Sequence, residues 1–126
     1  MTPTASRKRW RAHIYGLRAE SLAALWLMAK GYRILARRYN VKGGELDLVV
    51  FKGDAVAFVE VKARDDLDAA SISILEMKRR RISRAARVWL MRNPWAMGCT
   101  LRGDGVFIAP WRLPRHVVAA YRLDLD

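Results

Sequence analysis

The sequence has only one cysteine, four prolines and 12 acidic residues among its 126 residues. With Cys99 as the single cysteine, an internal disulfide is excluded, and no second cysteine or histidine stands at metal-ligand spacing beside it. The lack of a disulfide framework is typical of proteins from a reducing compartment, so we expect a cytoplasmic protein.

Long apolar runs are also missing. The longest, residues 22–29, is well short of the roughly 18 to 20 residues that a membrane-spanning helix needs. A signal peptide is not expected either, because Arg18 and Glu20 precede this run and Lys30-Gly31 stands where a small-residue cleavage site would be. We therefore expect neither a membrane span nor an export signal.

The hydrophobic share of 52% is enough to build the core of one domain. Residues 1–11 are polar and basic with almost no apolar periodicity, which indicates a mobile basic arm. The sequence therefore predicts a single domain over residues 12–126 that follows this arm.

Acidic residues are scarce where basic residues are dense. The chain has 24 Lys and Arg and a formal net charge of +12; residues 1–44 hold ten basic residues and one acid, Glu20. A second basic block has no acid between Met77 and Gly103. Such bias indicates a polyanion partner, and two separate blocks favour nucleic acid over the alternative of a solvated helix surface. Neither block has the amphipathic pattern of a membrane anchor.

Hydrophobic periodicity predicts alternating helices and strands. The predicted helices cover residues 13–30, with Gly31 as the stop signal, and 69–93. The predicted strands are an edge strand at 32–39, a hairpin at 46–51 and 55–62, and two short strands at 105–109 and 117–123. Together they indicate an α/β domain.

The hairpin brings two carboxylates together. With Gly53-Asp54 as the loop, Asp47 lies opposite Glu60, and both residues point to an otherwise apolar face. Two unit charges about 5 Å apart repel each other by about 3 kcal/mol at an effective dielectric near 20. A shift of one residue in this register would move Glu60 to the other face.

Three arrangements would relieve this repulsion: a shared proton, a protein cation or a bound metal. Lys62 supplies one cation, but the same register adds Glu45, so the cluster keeps a net negative charge. An Mg²⁺ ion fits this supply of oxygen ligands. The alternative is a buried ion-pair network around Lys62.

These residues resemble those of a known nuclease superfamily. A helix acid (Glu20), the strand Gly44-Glu45-Leu46-Asp47-Leu48-Val49 and the triplet Glu60-Val61-Lys62 resemble the PD-(D/E)XK nucleases, and most closely the bacterial YraN family. The resemblance runs from about residue 15 to 104. It departs from the family pattern after Lys62, where the usual glycine is missing, and at Arg102-Gly103-Asp104, where Arg-Phe-Asp is expected.

The resemblance implies a restriction-endonuclease-like fold, with a mixed central sheet flanked by helices, and an Mg²⁺-dependent endonuclease related to Holliday-junction resolvases. It implies that Glu20, Asp47, Glu60 and Lys62 are catalytic; for Glu20 the alternative is a solvated acid on the helix surface. Asp47, Glu60 and Glu20 would bind Mg²⁺, or Mn²⁺ in its place, while Lys62 would orient or deprotonate the attacking water. The expected reaction is phosphodiester hydrolysis in DNA, in particular branched or single-stranded DNA.

The basic helix supplies candidate nucleic-acid-binding residues: Lys78, Arg80, Arg84 and Arg87. Lys78 follows the buried side of the helix and could approach the metal, while the three arginines share one stripe. Two alternatives remain open for the whole protein: a non-catalytic nucleic-acid-binding module that retains the fold, and a basic RNA-associated protein. A four-way junction substrate would favour a homodimer.

Overall fold

The computed structural model describes residues 18–64 and 74–126. The basic arm predicted at residues 1–11 and the start of the first predicted helix lie outside the described residues. Within the described part, one five-stranded sheet carries a helix on each face, which is the predicted α/β class and is compatible with a restriction-endonuclease-like fold.

The first helix, α1, occupies residues 18–29 of the described chain. Its buried side consists of Ala19, Ala23, Ala24 and Leu27, a spacing that places all four on one helical face. The helix ends at Gly31, as predicted. Gly31 has a φ of 95°, and the next N–H, that of Tyr32, donates to the carbonyl of Leu27 at 3.0 Å. This is the glycine-terminated Schellman arrangement.

The sheet follows the chain order β1-β2-β3-β4-β5 and is mixed. Only β3 and β4 run parallel; the other neighbours are antiparallel. The second helix, α2, connects the parallel pair. The bounds are β1 Arg33–Val41, β2 Gly44–Lys52, β3 Ala55–Ala63, α2 Glu76–Arg92, a 3₁₀ helix Pro94–Gly98, β4 Thr100–Ile108 and β5 Arg115–Tyr121.

Each helix covers one face of the sheet. The α1 side contains alternate strand residues such as Leu48, Val59 and Val106, and the α2 side contains their neighbours such as Val49 and Phe58. This alternation is what the period-two pattern of a doubly covered sheet requires. Within the described ranges, no helix has the length and apolar character needed to cross a bilayer.

A glycine brings α2 close to the start of β2. A Cβ at Gly44 would lie 2.7 Å from the carbonyl oxygen of Arg81 and 2.9 Å from the backbone nitrogen of Ala85. Only the absence of a side chain allows this approach. The first turns of α2 consequently lie next to Glu45 and the polar end of the hairpin.

Two element boundaries differ from the prediction by five residues or more. The helix predicted from residue 69 begins at Glu76; Leu75 is extended, and residues 69–73 lie outside the described residues. Ile74 nevertheless packs against the α2-side core, which is why its spacing resembled a helical one. Strand β4 begins at Thr100 instead of Gly105. The strand can include the charged Arg102 and Asp104 because their side chains are hydrogen-bonded to each other.

Candidate active site

The β2–β3 hairpin has the predicted register. Its paired residues run from Lys52 opposite Ala55 to Leu48 opposite Val59. Just beyond these pairs, the carboxylate of Asp47 accepts a hydrogen bond from the backbone N–H of Val61 at 2.8 Å. The side chain of Asp47 thus bonds to the backbone of β3 at the place where Glu60 is located.

The carboxyl groups of Asp47 and Glu60 are close enough for each to affect the pKa of the other. Glu60 is only 5% exposed, and its Oε2 atom accepts no hydrogen bond from the residues that the structure describes. Burial, followed by the charge of Asp47, raises the pKa of Glu60 to about 8. Burial also raises the pKa of Asp47. Near neutral pH Glu60 therefore retains its proton beside Asp47.

A cavity of about 310 Å³ lies beside Glu60. Three cationic side chains line it, Lys62 and Arg64 from the end of β3 and Lys78 from α2. Burial and the charge of Arg64 lower the pKa of Lys62. The described lining thus combines one buried carboxyl with three cations, a combination suited to a phosphate group and a metal ion.

Lys78 provides the counter-charge for the acids. Its Nζ lies 2.6 Å from Glu45 Oε1 and 3.6 Å from Glu60 Oε1. Burial opposes the charge of Lys78, but the hydrogen bond to Glu45 together with the charges of Glu60, Glu45 and Asp47 outweighs burial and raises the pKa of the lysine. In the described chain, Glu45 and Glu60 thus form ion pairs with Lys78, whereas the alternative drawn from the sequence centred such a network on Lys62.

Glu20 lies in a separate ion-pair cluster. Its two carboxylate oxygens accept hydrogen bonds from Arg37 at 2.9 Å and from Arg38 at 2.7 Å. Burial opposes ionisation, but these two arginines outweigh it and lower the pKa of Glu20. The charge of Glu20 still raises the pKa of Asp47, so the two carboxylates are within electrostatic range of each other. The structure therefore brings Asp47 and Glu60 into contact and leaves Glu20 bound to arginines.

The pairing of Glu20 had a signal in the sequence. It is the one acid among ten basic residues in the first 44 residues, so some of those cations had to neutralise it. The sequence did not show which of these cations pair with Glu20, because the pairing depends on the packing of the edge strand β1 beside α1.

The arginines proposed for nucleic-acid binding differ in their surroundings. Arg80 is 74% exposed, whereas Arg84 donates to the carbonyl of Lys42 at 2.5 Å and Arg87 to the carbonyl of Asp124 at 2.6 Å. Two of the three arginines thus also hold neighbouring backbone in place. Their role in binding nucleic acid stays a prediction.

Sequence reasoning missed a second polar cluster, around Asp104. This aspartate is fully buried. It accepts two hydrogen bonds from β5, from His116 Nε2 at 2.8 Å and from the N–H of Ala119 at 3.0 Å. It also accepts two from guanidinium nitrogens of Arg102, both at 3.1 Å. Burial opposes ionisation, but these donors outweigh it and lower the pKa of Asp104. The cluster joins β4 to the irregular strand β5, where Ala119 has a φ of 53°.

The chemistry of the two contacting acids fits a divalent ion. Glu60 Oε2 is a buried oxygen without a partner in the described chain, and a cation there would replace the proton of Glu60. Among residues 18–64 and 74–126, no three acidic, histidine or cysteine side chains lie close enough to form a metal site. Mg²⁺ is often held by one or two carboxylates plus water, so Asp47 and Glu60 are a sufficient pair.

We expect the buried carboxyl of Glu60 to make stability decrease as pH rises from about 4.5 to about 8. In this window the unfolded chain ionises the group, and the folded chain retains its proton. The slope can reach about 1.4 kcal/mol per pH unit. Glu60→Gln should remove this component, which urea denaturation at several pH values would measure. An exposed-acid control, Asp54→Asn, should follow the parent; equal pH profiles for parent and Glu60→Gln would contradict the expectation.

Comparison with known proteins identifies the family. The family model described as Uncharacterised protein family UPF0102 matches residues 19–108. A UPF0102 protein of Methylobacterium nodulans is 55% identical over 95% of this chain and 93% of its own length. One from Methylorubrum extorquens is 56% identical over 93% of this chain and 91% of its own, and one from Methylocella silvestris 57% over 86% and 88%. The chain therefore belongs to the UPF0102 family, the YraN family that its sequence motifs indicated.

Proposed function

We propose that the protein is a metal-dependent nuclease that hydrolyses phosphodiester bonds in DNA. The observation that carries this proposal is the buried contact between Asp47 and Glu60, with a raised pKa on both, beside a cavity lined by Lys62, Arg64 and Lys78. Two like charges at one buried position destabilise a fold unless something compensates for them. A divalent cation would compensate the two acids, and a phosphate group would compensate the three cations of the cavity.

Asp47 and Glu60 would hold Mg²⁺, or Mn²⁺ in its place. A bound Mg²⁺ would polarise the scissile phosphate and lower the pKa of a coordinated water. Glu20 would contribute to the metal only by giving up a hydrogen bond from Arg37 or Arg38, so its ligand role is the weakest part of the proposed site.

Lys62 would act on the proton of the attacking water. Its pKa is lowered, which makes the neutral amine more accessible than that of an exposed lysine. Glu60 and Lys62 stand two residues apart on one strand and so project from the same side. The same amine in its charged form would stabilise negative charge on the phosphate, together with Arg64 and Lys78.

A non-catalytic nucleic-acid-binding module is the second candidate. The contact that favours it is Lys78, which already supplies positive charge to Glu45 and Glu60 without a metal. In that case the acids would form a structural network, and the basic surface alone would bind nucleic acid.

A cleavage panel separates the two candidates. Linear, flapped, single-stranded and four-way DNA, with a matched RNA, would be incubated with the parent chain in Mg²⁺, in Mn²⁺ and in EDTA. A nuclease cuts at least one DNA in a metal-dependent way, and calorimetry should detect Mg²⁺ or Mn²⁺ binding. Binding of DNA with neither cleavage nor metal uptake would support the non-catalytic module, and a preference for RNA at matched salt would contradict DNA as the partner.

We expect Arg80 to contribute one phosphate contact. Its side chain is 74% exposed, and its Nε lies 3.6 Å from Oε1 of the exposed Glu76. Arg80→Ala should therefore leave the fold intact. The slope of log affinity for DNA against log salt should become shallower by about one. Arg80→Lys retains the charge and should retain the slope; an unchanged slope in Arg80→Ala would remove this residue from the interface.

A further inference from the structure

The loop between β4 and β5 presents a tryptophan to solvent. Trp111 is 103% exposed, so its ring has no packing partner in the described chain. Its φ is 62°, a left-handed conformation that bulky residues rarely adopt. A large apolar ring in an unfavourable backbone conformation contributes nothing to the core. It therefore requires an explanation other than packing against the described residues.

This loop lies at the edge of the sheet that carries the candidate active site. Strands β3 and β4 are parallel and end together, with Ala63 opposite Ile108, and the N–H of Arg64 donates to the carbonyl of Ile108 at 2.8 Å. Trp111 is the third residue after Ile108, which limits their Cα distance to about 11 Å. Lys62 and the cavity are therefore within a few nucleotides' length of the Trp111 ring.

The surroundings of Trp111 are basic. Arg112 is exposed on the same loop, Arg115 is exposed at the start of β5, Arg64 is exposed at the adjoining end of β3, and no acid occurs in residues 105–123. An exposed aromatic ring among arginines is the combination with which proteins bind single-stranded nucleic acid, since the arginines bind phosphates and the ring stacks on a base.

We propose that Trp111 stacks on an unpaired base of DNA, next to the phosphate that occupies the cavity lined by Lys62, Arg64 and Lys78. This inference rests on the proposed nuclease function and adds its substrate class: DNA with unpaired bases beside the reacting phosphate. Pro110 and Pro114 flank the loop and restrict its backbone, which reduces the entropy lost when it binds. In a fully paired duplex the faces of the bases are covered by their neighbours, so the ring has no partner there.

An anionic lipid surface would also attract a tryptophan and arginines. DNA is favoured because the loop adjoins the cationic cavity and the buried acid pair, which suit a phosphodiester and a metal and have no use at a lipid headgroup. Lipid binding is therefore kept as an outcome of the test.

The test compares DNA binding by variants of Trp111, made in the Asp47→Asn background so that no DNA is cut. Fluorescence anisotropy would measure affinity for a duplex and for the same duplex with a single-stranded tail, at one salt concentration. Trp111→Ala should weaken binding of the tailed DNA by about ten-fold and hardly change binding of the duplex. Trp111→Phe should restore most of the affinity. Leu113→Ala is the matched control, because Leu113 is 75% exposed on the same loop.

Each remaining outcome overturns the stacking contact. If Trp111→Ala binds both DNAs as tightly as the chain that retains Trp111, or binds both more weakly by the same factor, the stacking contact is absent. This holds even where the parent chain cleaves DNA. If Trp111→Ala loses affinity only for phosphatidylserine vesicles, the loop is a lipid contact. Conversely, selective loss on tailed DNA supports the contact even if no DNA is cleaved, so failure of the nuclease proposal is seen separately in the cleavage panel.

Discussion

Asp47→Asn should abolish metal-dependent cleavage of DNA, with a loss of at least about 10²-fold. The amide removes the negative charge that, with Glu60, would hold the metal. The fold should survive, because the oxygen of Asn can still accept the hydrogen bond that the N–H of Val61 donates to Asp47. DNA affinity should be unchanged or slightly higher, since the substitution removes a negative charge next to Glu60, which lines the cationic cavity. Single-turnover cleavage and DNA binding, measured on the same preparation, check both statements.

Two further variants make this result specific. Asp54→Asn removes an exposed acid from the turn of the same hairpin and should cleave like the parent. Lys62→Ala should lose cleavage but retain metal uptake, because the amine is expected to act on the water and the phosphate. Equal rates for the parent chain and Asp47→Asn would contradict the catalytic assignment, whatever the effect of Lys62→Ala.

The largest loss of stability should follow from Asp104→Ala, by about 3–5 kcal/mol in the free energy of unfolding. The substitution leaves the guanidinium of Arg102, 22% exposed, without its counter-charge, and leaves the N–H of Ala119 without an acceptor. It also removes the acceptor of His116, so the link between β4 and β5 is broken. Urea denaturation followed by tryptophan fluorescence would measure the change.

Asp104→Asn is the informative companion variant. Its amide oxygen can accept from Ala119 but carries no charge for Arg102, so its loss of stability should lie between the parent and Asp104→Ala. A change below about 1 kcal/mol for Asp104→Ala would mean that solvent or a rearranged β5 replaces these hydrogen bonds.

The hairpin was predictable because its turn fixes its register. Gly53-Asp54 between two apolar runs allows one close pairing, and period-two alternation then assigns every side chain to a face. The contact between Asp47 and Glu60 follows from that register, as does the projection of Lys62 from the same side. The stop of α1 at Gly31 was predictable for a similarly local reason, the φ of 95° that glycine tolerates.

The surroundings of the acids were not predictable in the same way. Lys78 reaches Glu60 only because Gly44 lets α2 approach the start of β2, and that approach depends on the packing of two distant segments. The extent of β4 was misjudged because a charged residue, Asp104, is fully buried inside a strand, where it pairs with the half-buried Arg102. Hydrophobic periodicity predicts a loop where charged residues interrupt an apolar strand pattern. Only the hydrogen bonds from β5 show that the buried carboxylate has partners inside the sheet.

The sequence by itself determined the elements whose signals are local: the hairpin, the helix stop, the cationic character and the family to which the chain belongs. Tertiary structure decided how each charge is neutralised, assigning Arg37 and Arg38 to Glu20 and Lys78 to Glu45 and Glu60. The physical reason is range. Turn geometry and side-chain alternation act over a few residues, whereas an ion pair forms between any groups that packing brings within a few ångströms, however far apart they are in the chain.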